Sequence, residues 1–357
     1  MKSLPQPCYR FPAEWESQSG VQLTWPHANS DWQDYLEEAE DCLSRIAGAI
    51  SRYERVLIVS ANPLETVRRI HPYVQPDRVL LLKCDSNDIW ARDHAPLTLV
   101  GRGKPLLLDF RFNGWGLKFP AHKDNLISRT CHDSGCLRGV FRSRQHVVLE
   151  GGSVETDGAG TLLTTTKCLL SPNRNDDCSR DELTRLLLEE LHCKRVLWLE
   201  HGHLEGDDTD GHIDTLARFC PNNTIAYAKC TDASDSHYDE LQAMEEELKS
   251  FRTPDGAPYR LVPLPLPEPV YFEGERLPAT YANFLILNSA VLVPTYGQPL
   301  SDGRALRLLQ QAFAPRRVIG IDCRVLIRQH GSLHCATMQY PEGVLSEKNI
   351  ANIHLKI

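Results

Sequence analysis

The sequence predicts a single α/β domain assembled from recurring strand–strand–helix–strand modules, and three observations carry that expectation. Short apolar, β-branched runs alternate with amphipathic helical stretches along the whole chain. The order strand, strand, helix, strand returns several times without obvious identity between the copies. No low-complexity linker or abrupt change of composition divides the 357 residues, so a length that would permit two domains is read as one, spanning 1–357.

Taken in order, Ser30 and Gln33 form a capping-box pattern ahead of apolar residues at Leu36, Ala39, Leu43, Ile46, Ala47 and Ile50, the stripe of an amphipathic helix. RVLIVS follows as a strand, then a helix through Leu64 to Ile70 and the strand RVLLLK. NDIWARDHAP is a loop ahead of the strands PLTLV and PLLLDF, and FRFNGWGLKFP is an aromatic loop packed over something. The weakly periodic stretch from Lys123 to Arg144 reads as helix then loop. HVVLEGGSVETDGAGTLLTTTKCLLS is strand, turn, strand, with DGAG as the hairpin signal. Ser179 and Glu182 give a second capping box before LTRLLLEELH, and RVLWLE is the next strand. TIAYAKC is a strand, and Tyr238 to Phe251 a helix with Leu241, Met244 and Leu248 on one side. YRLVPLPLPEP is held extended by its prolines. YANFLILNSAVLVPTYG supplies two strands about a turn at Asn288. A helix from Gly303 to Phe313, the strand RVIGID and a strand-like run VLIRQ lead into HGSLHC.

The totals restrict function. Charged residues at 24% and hydrophobic residues at 41% suit a globular protein with a substantial core, and the net charge of -8 argues against general nucleic-acid binding while favouring a cationic ligand. The amino-terminal stretch MKSLPQPCYRFPAEW lacks the apolar core of a signal peptide, and no run is long and apolar enough to cross a bilayer, so a cytoplasmic protein without membrane contact is expected. The 12 cysteines are scattered and no C-x-x-C pair occurs, so reduced, mostly buried thiols are expected rather than disulfides or structural zinc.

Four clusters carry chemistry. Cys335 in HGSLHC follows Gly331 and adjoins His334, the setting of a thiol presented at a strand end; taken alone, a small core hydrophobe is the commoner role. Asp88 and Asp93 flank Trp90, an aromatic wall beside anions that suits a flat cation, although turn capping or an ion pair with Arg92 also accounts for the acids. Glu150 stands before Gly151 in LEGGS, where glycine permits close approach of a backbone or ligand and the acid could orient a histidine. In HGHLEGDDTDGHID, His212 and Asp214 would share a face if a strand starts there. The acids around them miss the register of a calcium loop, and the histidines fit no zinc-helix spacing. Arg111 could hold a carboxylate or pair on the surface.

The strings WARD, LEGGS, DGHID, YANF and GSLHC, in this order over nearly the whole chain, resemble the agmatine deiminase and bacterial peptidylarginine deiminase-like branch of the guanidine-modifying enzymes. The resemblance implies the pentein fold, a five-module α/β propeller with pseudo-fivefold symmetry and a central site. It implies Cys335 as nucleophile, His212 as general acid and base, Asp93 and Asp214 as the guanidinium clamp, and Glu150 as the acid supporting the histidine. Trp90 and Asn283 fall on substrate-pocket positions. His94, Ala95 and Ser332 depart from the family pattern and bear on loop geometry. No metal or organic cofactor is implied. The expected partner is a small cationic guanidine, with agmatine preferred on FNGWG and arginine or peptidyl-arginine as alternatives; a homo-oligomer is compatible with the sequence. Two readings from other classes stay open: a metal-dependent amidohydrolase using the stretch from His201 to Asp214, and a non-catalytic polyamine-binding protein.

Overall fold

A computed structural model describes residues 9–347; Cys8 and most of the amino-terminal stretch read above for targeting lie outside them. The chain begins with β1 (Gln18–Thr24), α1 (Leu36–Ser51), β2 (Arg55–Ser60), α2 (Pro63–Ile70) and β3 (Val79–Lys83), a parallel β1–β2–β3 sheet with helical crossovers. The predicted stripe of α1 is buried, with Ala39, Leu43, Ile46, Ala47 and Ile50 inaccessible or nearly so. Its predicted cap is not used. The Ser30 hydroxyl donates to the His27 carbonyl at 2.6 Å, and Gln33 opens a 3₁₀ turn, Gln33–Tyr35, that delays the helix to Leu36. Replacing a fully buried residue such as Leu43 by alanine would cost about 2–5 kcal/mol.

The same unit then repeats. A one-turn helix α3 (Ala91–His94) precedes β4 (Leu97–Leu99), β5 (Leu106–Arg111), a turn α4 (Gly114–Leu117), helix α5 (Asp124–Asp133) and β6 (Val140–Val148). The third unit is β7 (Glu155–Thr156), β8 (Thr161–Thr165), α6 (Thr166–Leu169), α7 (Arg180–Glu190) and β9 (Arg195–Leu199). The fourth is β10 (Ala217–Cys220), β11 (Thr224–Lys229), α8 (Tyr238–Ser250) and β12 (Arg260–Pro265). After a small hairpin, β13 (Tyr271–Phe272) and β14 (Glu275–Arg276), the fifth is β15 (Leu285–Ile286), β16 (Ala290–Thr295), α9 (Pro299–Phe313) and β17 (Arg317–Asp322). In each, the first strand pairs antiparallel with the second and the second parallel with the third across a helix. The first unit follows the rule with a strand borrowed from the far end: β18 (Thr337–Pro341) pairs antiparallel with β1, Gln22 opposite Met338.

The buried apolar clusters run between neighbouring units. One joins the first, second and third, another the third and fourth, a third the fourth and fifth, and a fourth the fifth and first, so the circuit closes. This is the five-module pentein arrangement.

Most expected elements are in place, including the Ser179–Glu182 capping box, which both hydrogen bonds complete. Two are corrected. The stretch from Lys123 to Arg144 runs into the strand β6 rather than ending in a loop. VLIRQ is no strand: Leu326–Gln329 is a 3₁₀ turn that buries Leu326 and Ile327 and ends in left-handed His330. A short apolar run fits either conformation, because burial alone does not fix the period.

Candidate active site

The five strings singled out in the sequence occupy one equivalent position, the lead-in to the first strand of each unit. Asp93 lies in α3 before β4, Gly151–Ser153 is a 3₁₀ turn before β7, and Ile213–Thr215 another before β10. Asn283 precedes β15, and Cys335 precedes β18. His212 and Asp214 are therefore not on the strand, as expected above, but at the cap and inside the turn that leads to it. Repetition of the fold brings the five lead-ins together: α3 packs on the Gly151–Ser153 turn and on β18, and that turn packs on Ile213–Thr215.

At the centre stands a missing side chain. A Cβ on Gly152 would lie 2.6 Å from His212 Nδ1, 2.9 Å from Asp93 Oδ1 and 3.1 Å from Asp214 Oδ2. The Gly152 amide donates to Asp93 Oδ1 at 3.0 Å, and Trp115 Nε1 donates to Asp93 Oδ2 at 2.9 Å. His212 Nδ1 is 3.7 Å from Asp93 Oδ1, and both of its ring nitrogens are buried without a hydrogen-bond partner. Cys335 Sγ lies 3.8 Å from Asp214 Oδ2 and accepts from Asn283 Nδ2 at 3.3 Å. Asn283 Oδ1 in turn accepts from the His334 and Cys335 amides at 2.9 and 3.3 Å, which fixes the loop carrying the thiol. Asp214 Oδ1 has no partner. Gly152→Ala should thus push His212 and the two carboxylates apart while leaving the outer fold alone: we expect kcat/KM to fall by about 10²-fold or more, since displacements of this size in a reacting geometry cost that much, and a variant with parental kinetics would show that their close approach is not used.

Burial raises the Asp93 carboxyl to about 6, against the opposing pull of His212. Burial works in the same direction on Asp214, but the hydrogen bond and charge of His334, with His212 and Arg218, bring it below its ordinary value. Burial opposes protonation of His212, yet Asp93, Cys168 and Glu150 outweigh it and raise the imidazole well above its usual range. Burial, then Asp214 and Asp93, push the Cys335 thiol well up, so the unliganded site keeps it protonated.

The remaining expected residues divide. Trp90 is buried against Trp32, ring centroids 5.8 Å apart, and over Gly331, where a Cβ would lie 2.3 Å from its ring. Asp88 accepts from Trp32 Nε1 at 2.8 Å and from its neighbour Ile89 N at 2.7 Å, and burial raises it to about 6. Glu150 is buried beside His212, but its hydrogen bonds go to Arg174 Nε, at 2.9 and 3.1 Å, not to the imidazole. Gly151 faces the Arg92 carbonyl, 2.2 Å from a hypothetical Cβ, so Gly152 rather than Gly151 borders the site. Arg92 is not the partner of Asp93; it lies 3.9 Å from Glu14. Arg111 is exposed at the end of β5, and its backbone carbonyl accepts from Leu149 N. The family departures are absorbed by packing: His94 Nε2 is 3.2 Å from Thr24 Oγ1, Ala95 is buried, and Ser332 meets the Tyr296 hydroxyl at 3.1 Å.

The polar stretch from His201 to Asp214 does not act together. His201 pairs with Glu247, Asp207 caps its own turn through Thr209 and Gly211, and Asp210 pairs with Arg174 and Lys118. Among the described residues the group spaced to hold a metal ion is instead Glu150, Cys168 and His212, with ligand atoms within 4.8 Å of one another, and Arg174 occupies both oxygens of its carboxylate. All eleven described cysteines are free, and no described helix is long and apolar enough to cross a membrane.

Sequence reasoning missed Trp115, Cys168, Arg174, Glu14 and the role of His334. Only Trp115 left a signal. It sits in FNGWG, wound left-handed from Gly114 to Leu117 with φ of 55° at Trp115 itself, and a Cβ on Gly114 would meet the Phe119 carbonyl at 2.1 Å. A tryptophan held in that strained conformation between two glycines is a mark of function.

Known proteins resemble this chain over nearly its whole length. The family model for Porphyromonas-type peptidyl-arginine deiminase matches residues 10–341. An agmatine deiminase of Ectopseudomonas mendocina (strain ymp) is 33% identical over 359 residues, covering 93% of this chain and 95% of that protein. A Porphyromonas gingivalis structure provisionally named an arginine deiminase is 53% identical, with a TM-score of 0.89 over 95% of this chain and 100% of that one. A cysteine-to-serine variant of the C. jejuni agmatine deiminase with substrate bound is 36% identical, with a TM-score of 0.88 over 96% and 99% of the two chains. With the five lead-in strings converging on one buried centre, the chain belongs to the Porphyromonas-type peptidyl-arginine deiminase family of guanidino-group hydrolases.

Proposed function

We propose that the chain is an agmatine deiminase, hydrolysing the guanidinium of agmatine to N-carbamoylputrescine and ammonia through an amidino-cysteine intermediate. The observation that carries this is the convergence of two carboxylates and the His212 ring on Gly152, where only the absence of a side chain lets Asp93, Asp214 and His212 come this close together. A guanidinium is permanently charged and presents planar N–H donors, so Asp93 and the unpartnered Asp214 Oδ1 suit it.

Docking a cation between the two acids offsets the charge that keeps Cys335 protonated; the thiol gives up its proton to solvent, and the thiolate attacks the guanidinium carbon. The adduct is neutral, with four substituents on carbon. His212, protonated in the free site, gives its proton to one amino group, ammonia leaves, and a cationic amidino-thioether remains. Neutral His212 then takes a proton from water as hydroxide adds to that carbon; collapse to the carbonyl breaks the carbon–sulfur bond, the hydroxyl proton passes to the departing sulfur to restore the thiol, and the ureido product is released. Glu150, fixed by Arg174, holds negative charge beside the imidazole in both halves.

The tail decides the substrate. Asp88 beside Trp90, in an acidic chain, suits the distal ammonium of agmatine. An arginine or peptidyl-arginine substrate is the second reading, favoured by the 53% identity to the structure provisionally named an arginine deiminase; it would bring a carboxylate or peptide toward Arg111. Ammonia and ureido-product release from agmatine, arginine and an arginyl peptide, each with and without a chelator, separates them. We expect agmatine to be preferred and its turnover to survive chelation. Loss with the chelator would favour a metal-dependent hydrolase, and binding of agmatine without turnover a polyamine-binding protein.

A further inference from the structure

One buried histidine has no part in the steps above. His334, next to the nucleophile, is 2% exposed and sits between two carboxylates: its Nδ1 is 2.7 Å from Asp214 Oδ2 and its Nε2 is 2.9 Å from Glu14 Oε2. Glu14 is anchored in turn. Its Oε2 accepts from Arg218 Nη2 at 2.7 Å and its Oε1 from the Ile286 amide at 2.7 Å, while Arg218 Nε reaches Glu155 at 3.0 Å.

Hydrogen-bond counting assigns protons along this line. A carboxylate oxygen cannot donate, so each of the two short ring contacts requires a proton between nitrogen and oxygen. Glu14 faces Arg218, His334 and Arg92 and is held well below the ordinary carboxylate range despite burial. His334 faces Asp214, Glu14, Arg218 and Arg92; burial and the two arginines bring it below its ordinary value against the pull of the two carboxylates. Asp214 faces His334, His212, Arg218 and Cys335. The contact geometry, rather than the ring's basicity, therefore places the protons, and the one on Nδ1 is committed to Asp214 Oδ2. The other oxygen of that carboxylate is left with no partner in a fully buried position.

We propose that His334, backed by Glu14, is the positioning residue for Asp214: it fixes one carboxylate oxygen, holds the group ionised in a buried setting, and leaves the second oxygen for the substrate guanidinium. This rests on the deiminase reading above. Neither His334 nor Glu14 touches the reacting atoms, so their effect runs through binding.

The test compares steady-state kinetics from pH 5 to 9 for the parent, His334→Leu, His334→Asn and Glu14→Gln, with folding followed by thermal melting. The parent comes first. If it hydrolyses no guanidine, the deiminase reading fails and the positioning role falls with it. With an active parent, His334→Leu should raise KM for the guanidine substrate about ten-fold or more, the value of a lost charge-assisted hydrogen bond, with a smaller change in kcat. The acid limb of kcat/KM, set in the parent by Asp93, should steepen from one proton to two and move to higher pH as Asp214 begins to titrate. His334→Asn, whose amide can donate from near the Nδ1 position, should recover most of the loss, and Glu14→Gln should shift KM and the acid limb in the same direction by less. A spacer role would move the melting temperature but neither the limb nor its slope. Folded His334→Leu with parental KM and acid limb overturns the proposal; should that variant not fold, parental values from Glu14→Gln overturn it instead.

Discussion

Cys335→Ala is expected to lower kcat by about 10⁴-fold or more with the melting temperature close to that of the parent, because a covalent mechanism has no route without its nucleophile. The side chain is 5% exposed and its loop is held by backbone donors to Asn283 rather than by the thiol, so removing sulfur leaves those contacts intact. A second readout belongs to the same variant. With the carboxylates untouched, it should still bind agmatine, by calorimetry, as tightly as the parent KM suggests. Residual turnover near the parental rate would remove Cys335 from the mechanism.

Asp93→Asn is expected to lower kcat/KM by about 10²–10⁴-fold, the range for leaving one buried charge without its partner. The loss is larger than a single contact because Asp93 also takes the Trp115 indole and the Gly152 amide and contributes to the raised imidazole of His212. Its own titration gives a pH signature. Burial raises it to about 6, so the ionised form needed to receive a guanidinium is present above that value and is lost as pH falls through it. The parental kcat/KM should therefore drop on the acid side near pH 6, and the drop should be absent in Asp93→Asn. An acid limb that persists unchanged would place the titrating group elsewhere.

How much of this was legible in the sequence depends on range. Helical periodicity and capping are local, and α1, α7 and α8 are written in residues within a turn of one another. The site was legible for a different reason: a repeated unit places its lead-in at the same spot each time, so five short strings, each weak alone, report one centre. What the sequence hid were partners distant along the chain and ordinary in composition. Glu14 lies 320 residues from His334, and Arg174 is one more arginine in SPNRND. Nothing within a window of either marks it as buried, and only the closed circuit of units brings it inward. The Ser30 cap failed for a local reason, since its hydroxyl had a nearer acceptor in the His27 carbonyl.

The pairing of β18 with β1 bears on how such an enzyme comes into being. Synthesis runs from the amino terminus, and the strand that finishes the first sheet is the last among the described residues, directly after Cys335. A nascent chain can thus hold folded units, clamp and histidine included, yet lack the Cys335 thiol until the stretch leading into β18 is made. A chain stopped before Cys335 would lack that thiol and leave the edge of β1 that pairs with β18 bare.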